Sequence, residues 1–259
     1  MEEIVMKFIE KIFPSFLFIG VTLCTDPAMA LVDAEVFYGS LTSDITYTSN
    51  GQRKTTTSPG FEAGASVLIK PLPIIPLSIG ATVSQSSTDF SKIAKIMAAD
   101  TAADPMFDGF STDASAMSRT LFYGPVVKLW VPIPKISPYV KAAYLVGTET
   151  LDTNFSLTSP ATATTPLTFE LKSKTIYSHT ATNLAAGISY SPIKFTDIFV
   201  EYSMHSGKRK AISASGSSTS TSGDQVATTP IVTGDIPEAD KKNVDANATS
   251  IRFGLSIGI

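Results

Sequence analysis

Five charged residues stand apart from the rest of this 259-residue chain: Glu62, Lys128, Lys141, Glu201 and Arg252. Each sits within a stretch that otherwise alternates apolar and small polar residues, so each falls on the polar row of an extended segment. Two carboxylates beside three cations make ion pairs, and ion pairs hold a structure closed more readily than they carry out a reaction. The two histidines, His179 and His205, are the remaining candidates for chemistry. No cysteine stands near either, which excludes a zinc cluster of the usual donor spacing. His205 is followed directly by Ser206; neighbours on a strand point to opposite faces, so the two do not align as base and nucleophile. The sequence predicts no catalytic, metal or cofactor site.

The elements that position these residues are strands. Phe61 to Phe90 reads FEAGASVLIK, PLPIIP, LSIGATVSQSSTDF. Phe61, Ala63, Ala65, Val67 and Ile69 share one face and Glu62, Gly64, Ser66, Leu68 and Lys70 the other, a period of two. Eight such segments follow one another: about 34–48, 61–70, 77–90, 119–131, 138–151, 179–190, 195–205 and 249–259. In the first, Phe37, Gly39, Leu41, Ile45 and Tyr47 are assigned to the apolar, outward row. In the seventh, Ile198, Val200, Tyr202 and Met204 oppose Asp197, Phe199, Glu201 and Ser203. The last sets Ile251, Phe253, Leu255, Ile257 and Ile259 against Arg252, Gly254, Ser256 and Gly258.

The connections alternate as strictly as the residues. Short, proline-marked turns are expected at about 71–76, 132–137 and 191–194, and long polar loops at about 49–59, 91–118, 152–178 and 208–247, with a short helix at Lys92 to Ala99 inside the second loop. In an up-and-down meander this parity puts every short turn at one end and every long loop at the other, the asymmetry of a transmembrane barrel. The rows of Gly, Ser, Ala and Thr are too small to build a soluble core, but they suit the inside of a narrow barrel of about eight strands. The predicted fold is therefore all-β, an eight-stranded antiparallel up-and-down transmembrane β-barrel spanning residues 31–259.

Residues 1–30 read as a cleavable signal peptide: Lys7 and Lys11, then the apolar Ile12 to Leu23, then Ala28-Met29-Ala30. The acidic Glu2 and Glu3 fit this poorly, which leaves the start of translation open between Met1 and Met6. Cleavage would remove Cys24, the only cysteine, and leave stability to burial and hydrogen bonding. A formal net charge of −3 with no basic tract gives nucleic acid nothing to bind.

Inside the barrel, Lys128 and Lys141 are equidistant from the turn between their strands and so become cross-strand neighbours that need carboxylates nearby. The expectation is a lumenal charge network in which Glu62 and Glu201 are shared among Lys128, Lys141 and Arg252, plugging the barrel. The alternative is that trapped water solvates the same charges. Glu149 and Asp44, nearer the external rim, are expected to be ordinary solvated charges. Phe37, Tyr47, Tyr123, Tyr190 and Phe195 are expected to form outward aromatic girdles, and Trp130 to point inward near a turn.

The mature chain resembles the small eight-stranded outer-membrane proteins, the group containing the transmembrane domain of outer membrane protein A, the opacity proteins and the outer membrane protein W type. The closest point of likeness is the last strand, where Arg252, Gly254, Ile257 and Ile259 match the family's terminal assembly signal, although bacterial members usually end in an aromatic residue where this chain has Ile259. The resemblance implies the bacterial outer membrane, with outer-membrane lipid, lipopolysaccharide and the outer-membrane assembly machinery as partners. It also implies surface display, with the external loops adhering to host or surface ligands, as a non-enzymatic structural or adhesin-like protein. The alternative function is a narrow, porin-like channel or conduit for small molecules. A minor alternative is lipid A modification, since lipid A deacylase barrels carry His-x-Ser near the position of His205; here the two residues are adjacent.

Overall fold

The computed structural model describes residues 32–258 apart from 50–51, 72–75, 103–108, 132, 134, 161–162, 164, 194 and 237–240; for 46–49, 53 and 101–102 it describes the backbone alone. Residues 1–30, expected from the sequence to be a signal peptide, and Ile259 lie outside the described residues, as does the side chain of Tyr47.

The strands are β1 (Val32–Ser49), β2 (Gln52–Ile69), β3 (Leu77–Asp89), β4 (Ser111–Trp130), β5 (Ile136–Thr158), β6 (Leu167–Ile193), β7 (Thr196–Ser222), β8 (Gln225–Ile231) and β9 (Val244–Gly258). Every pairing is antiparallel between neighbours, and β9 pairs with both β7 and β1. Because β6 also pairs with β7, the ring β1-β2-β3-β4-β5-β6-β7-β9 closes on itself with no free edge. The eighth strand in chain order, β8, is not part of the ring: it folds back on β7 over Gly216–Ser222 as a hairpin beyond the mouth. The barrel thus has eight strands, as the alternating segments predict.

Side chains obey the period of two. On β7, Ile198, Val200, Tyr202 and Met204 are exposed while Phe199, Glu201, Ser203 and His205 are buried. On β9, Ile251, Phe253, Leu255 and Ile257 are exposed while Ser250, Arg252 and Ser256 are buried. The molecule is inverted relative to a soluble domain, with apolar side chains outside and charge inside. Tyr123, Tyr190 and Phe195 lie on the outside, as the girdle predicts.

The first strand corrects the expected rows. Phe37 and Leu41 are buried in the lumen, and Tyr38 is the outward aromatic. The reason is the charge on the same row: Asp33 and Glu35 share the parity of Phe37, and a strand in lipid must turn its carboxylates inward. Phe37 fits because glycine stands beside it; a Cβ on Gly64 would meet its ring. Gly254 makes the same room for Phe199, and its Cβ would also meet the Val36 carbonyl across the pair. Gly254→Ala is therefore expected to cost about 1–3 kcal/mol through overpacking, read as a lower guanidinium midpoint of the refolded barrel.

The external connections also differ from expectation. Much of 52–59, 111–118, 152–158, 167–178 and 208–222 is strand, so the barrel wall continues as tall hairpins. Above the lipid neither face needs to be apolar, and the Ser/Thr-rich segments pair without showing the alternation that marks a membrane strand. Helix α1 (Ser91–Ala102), which contains the expected 92–99 helix, follows β3, and the Ser91 N–H donates to Asp89 Oδ1 at 2.8 Å. Phe90 bridges back to β4 through its N–H to the Ala116 carbonyl, at 2.8 Å. Ile93 and Ala98 are buried, which seats the helix on the barrel.

Candidate functional site

A single row of cross-strand neighbours crosses the lumen. Glu62 on β2 faces Gly39 on β1, Gly39 faces Arg252 on β9, Arg252 faces Glu201 on β7, Glu201 faces Gly187 on β6, and Gly187 faces Tyr139 on β5. The glycines are what let this row interact. A Cβ on Gly39 would meet the Arg252 backbone, and with none there Arg252 reaches across β1 to Glu62, donating from Nη2 to Oε1 at 2.9 Å and from Nε to Oε2 at 3.0 Å. A Cβ on Gly187 would meet the Tyr139 hydroxyl; in its absence that hydroxyl crosses β6 and donates to Glu201 Oε2 at 3.1 Å.

Arg252 donates from Nη1 to Glu201 Oε1 at 2.9 Å, and Lys141 lies 2.9 Å from Glu201 Oε2. Lys128 and Lys141 are direct cross-strand neighbours. A third carboxylate, Glu35, separates their charges: its two oxygens take one lysine each, both at 2.7 Å. Glu35, Glu62 and Glu201 are each only 1% exposed. Charges this deep are tolerable because each is matched by an opposite charge and by hydrogen bonds. Aromatic faces complete the layer: Lys128 stands 4.4 Å over Tyr139 and Arg252 4.7 Å over Phe37. Trp130 packs against the cluster of Phe37, Tyr139 and Phe199, with Lys70 5.4 Å from its ring.

All five charges singled out in the sequence meet here, linked through Glu35, which the sequence reading left out because β1 was assigned the opposite face. A signal for it existed: Asp33 and Glu35 cannot share a lipid-facing row. This ring, lined by charge and walled outside by exposed apolar side chains, decides the class. It is an eight-stranded transmembrane β-barrel.

No protein-family model matches the chain, and no curated protein matches it. Among solved structures, the chain is similar to Neisserial surface protein A at 10% identity and a TM-score of 0.36, covering 87% of this chain and 96% of that one. It is similar to Ail, the attachment invasion locus protein of Yersinia pestis, at 13% identity and a TM-score of 0.35, covering 88% and 98%. The outer membrane protease OmpT from Escherichia coli matches at 9% identity and a TM-score of 0.36, covering 88% and 97%. Likenesses this distant carry no argument here; the barrel rests on its own pairing and on its inverted burial.

Above the charged row a second cluster corrects an expectation. Glu149 is not a solvated rim charge: it is 3% exposed, accepting from Ser118 Oγ at 2.7 Å and from Arg209 Nη1 at 2.6 Å. Arg209 is the cross-strand neighbour of His179, which brings its guanidinium to the inner wall. Asp44 is exposed, as expected. Arg209→Ala would strand the Glu149 carboxylate with one neutral donor and is expected to lower stability by about 1–3 kcal/mol, measured against Arg209→Lys, which keeps the charge.

His205 is buried in the lumen, where its Nε2 lies 2.7 Å from Arg252 Nη2, while Ser206 is exposed on the opposite face. The two therefore do not form a base–nucleophile pair. Among the described residues no group of three or more His, Cys, Asp or Glu side chains could hold a metal ion.

Proposed function

We propose that this protein is a bacterial outer-membrane surface barrel whose lumen is closed by paired charges and whose working parts are the hairpins outside the membrane. The observation that carries the reading is the buried row in which Glu35, Glu62 and Glu201 balance Lys128, Lys141 and Arg252. Charges matched and hydrogen-bonded in this way favour a filled lumen over a water-filled path. Outer-membrane lipid covers the apolar wall, and Arg252, Gly254, Ile257 and Ile259 on the last strand serve as the signal read by the assembly machinery during insertion. Adhesion to a host or environmental surface falls to β8, which lies outside the ring, and to the upper parts of β5, β6 and β7, which extend the wall beyond the membrane.

The closing role is tested by recording the refolded full chain in a planar bilayer. Silence of a correctly folded sample is the expected result, and steady, reproducible openings would replace closure with the channel alternative. The display role is tested on cells carrying the barrel with the β7–β8 hairpin shortened. Attachment should fall while the amount of inserted barrel stays constant; unchanged attachment would remove the adhesive role.

A further inference from the structure

Between the charged row and the mouth lies a cavity of about 250 Å³. Glu62, held from below by Arg252, forms its floor, and its wall carries Phe122, His179 and His205. Further along the strands from the charged row, Ile236, which follows a turn of 3-10 helix (Thr233–Asp235), packs against Tyr177 and Ala211. We propose that this chamber is a binding site for a small uncharged polyhydroxylated molecule of sugar size.

Three observations converge on that class. First, the histidines are buried but incompletely satisfied. His179 is 8% exposed and neither of its ring nitrogens makes a hydrogen bond, its Nδ1 standing 3.6 Å from Glu149 Oε2; His205 is 7% exposed and its Nδ1 makes none. Arginine can only donate, so the Arg252 contact makes His205 Nε2 an acceptor and places the ring proton on Nδ1. His205 therefore needs an acceptor, and a neutral His179 needs one acceptor and one donor. A hydroxyl group supplies both, and buried polar groups in native proteins are normally paired.

Second, the charge here is already balanced. The floor matches three carboxylates with three cations, and on the wall Glu149 is matched by Arg209. An anionic guest would surrender its hydration without gaining an unused cation and would be repelled by Asp44 and Asp245 among the lining residues, while a cationic guest would face Arg209 on the same wall as the histidines. Third, the rest of the wall offers hydroxyls, from Ser86, Thr88 and Thr120, together with the ring of Phe122. Alternating hydroxyls and an aromatic face suit a molecule with hydroxyl edges and an apolar ring face. The volume is that of about eight water molecules, room for one sugar ring.

The chain's two histidines make the test direct. The untagged full chain, isotope-labelled on histidine and folded in detergent micelles, is titrated with glucose, gluconate and glucosamine while the two imidazoles are followed by NMR. Glucose should move both imidazoles along a saturating curve, with the two charged analogues weaker by about tenfold or more. Thr120→Val, which retains both histidines, should weaken glucose by several-fold, and His179→Phe should abolish the saturable response of His205. A drift that is linear and equal for all three solutes would mean that water alone satisfies the histidines, and the proposal would fall. It would fall equally if gluconate or glucosamine saturated the site as well as glucose does.

Discussion

Arg252→Met is expected to lower the stability of the folded barrel by about 3–5 kcal/mol, because it leaves charged groups buried without their partner. Arg252 is the only cation within ion-pair distance of Glu62 among the described residues, and it also holds one oxygen of Glu201 and meets the ring of His205. With methionine there, Glu62 retains the Ser250 hydroxyl, 3.1 Å away, and the His205 ring at 3.6 Å. Glu201 keeps Lys141 and Tyr139 and so suffers less. A second change, Glu62→Gln, should therefore recover a large part of the loss. The measurement is the guanidinium midpoint of the single and double variants refolded in the same detergent. The same Arg252 variant should admit brief openings in a planar bilayer where the parent is silent. A loss below about 1 kcal/mol would mean that solvent, not protein, balances Glu62.

Glu35→Gln is the second large effect. Lys128 and Lys141 face each other across adjacent strands, and like charges so placed repel. Glu35 makes the arrangement stable by giving each lysine one oxygen. Lys141 has Glu201 in reserve, whereas Lys128 would be left with the face of Tyr139. The expected cost is about 3 kcal/mol, and removing the stranded charge with Lys128→Met should reverse most of it. A double-mutant cycle between positions 35 and 128 should give a coupling of about 1–3 kcal/mol. Additivity of the two changes would show that the lysines do not depend on Glu35.

The two predictions differ in how far the sequence foretold them. Glu62, Glu201 and Arg252 were legible because each interrupts the small polar row of a segment whose opposite row is plainly apolar. Glu35 was not, because β1 carries large apolar residues on both rows, with Phe37 and Leu41 inside and Tyr38 outside. Apolar content alone points that strand the wrong way, whereas the charges of Asp33 and Glu35 point it inward. The burial of Glu149 is hidden in the sequence for a related reason. Its distance from the turn suggested the rim, but the strands run on past the lipid, and Arg209 and Ser118 enclose it within the extended wall.

The upper strands were the largest part of the architecture hidden in the sequence. Between Ser111 and Met117, and again between Leu167 and Tyr177, the chain is as extended and paired as in the membrane. The period-two signal comes from lipid on one side and a polar lumen on the other. Where water bathes both sides, a paired strand and a polar loop share the same composition.

By itself the sequence determined the strand count, the up-and-down order and the face of most charges, since each follows from local alternation and from the cost of charge in lipid. Only the tertiary structure decided which charges meet, that Gly39 and Gly187 clear the way for Arg252 and Tyr139, and that a chamber stands above them. Those outcomes depend on the register between strands distant in sequence. Register is set by closure of the whole ring, a property that no single segment carries.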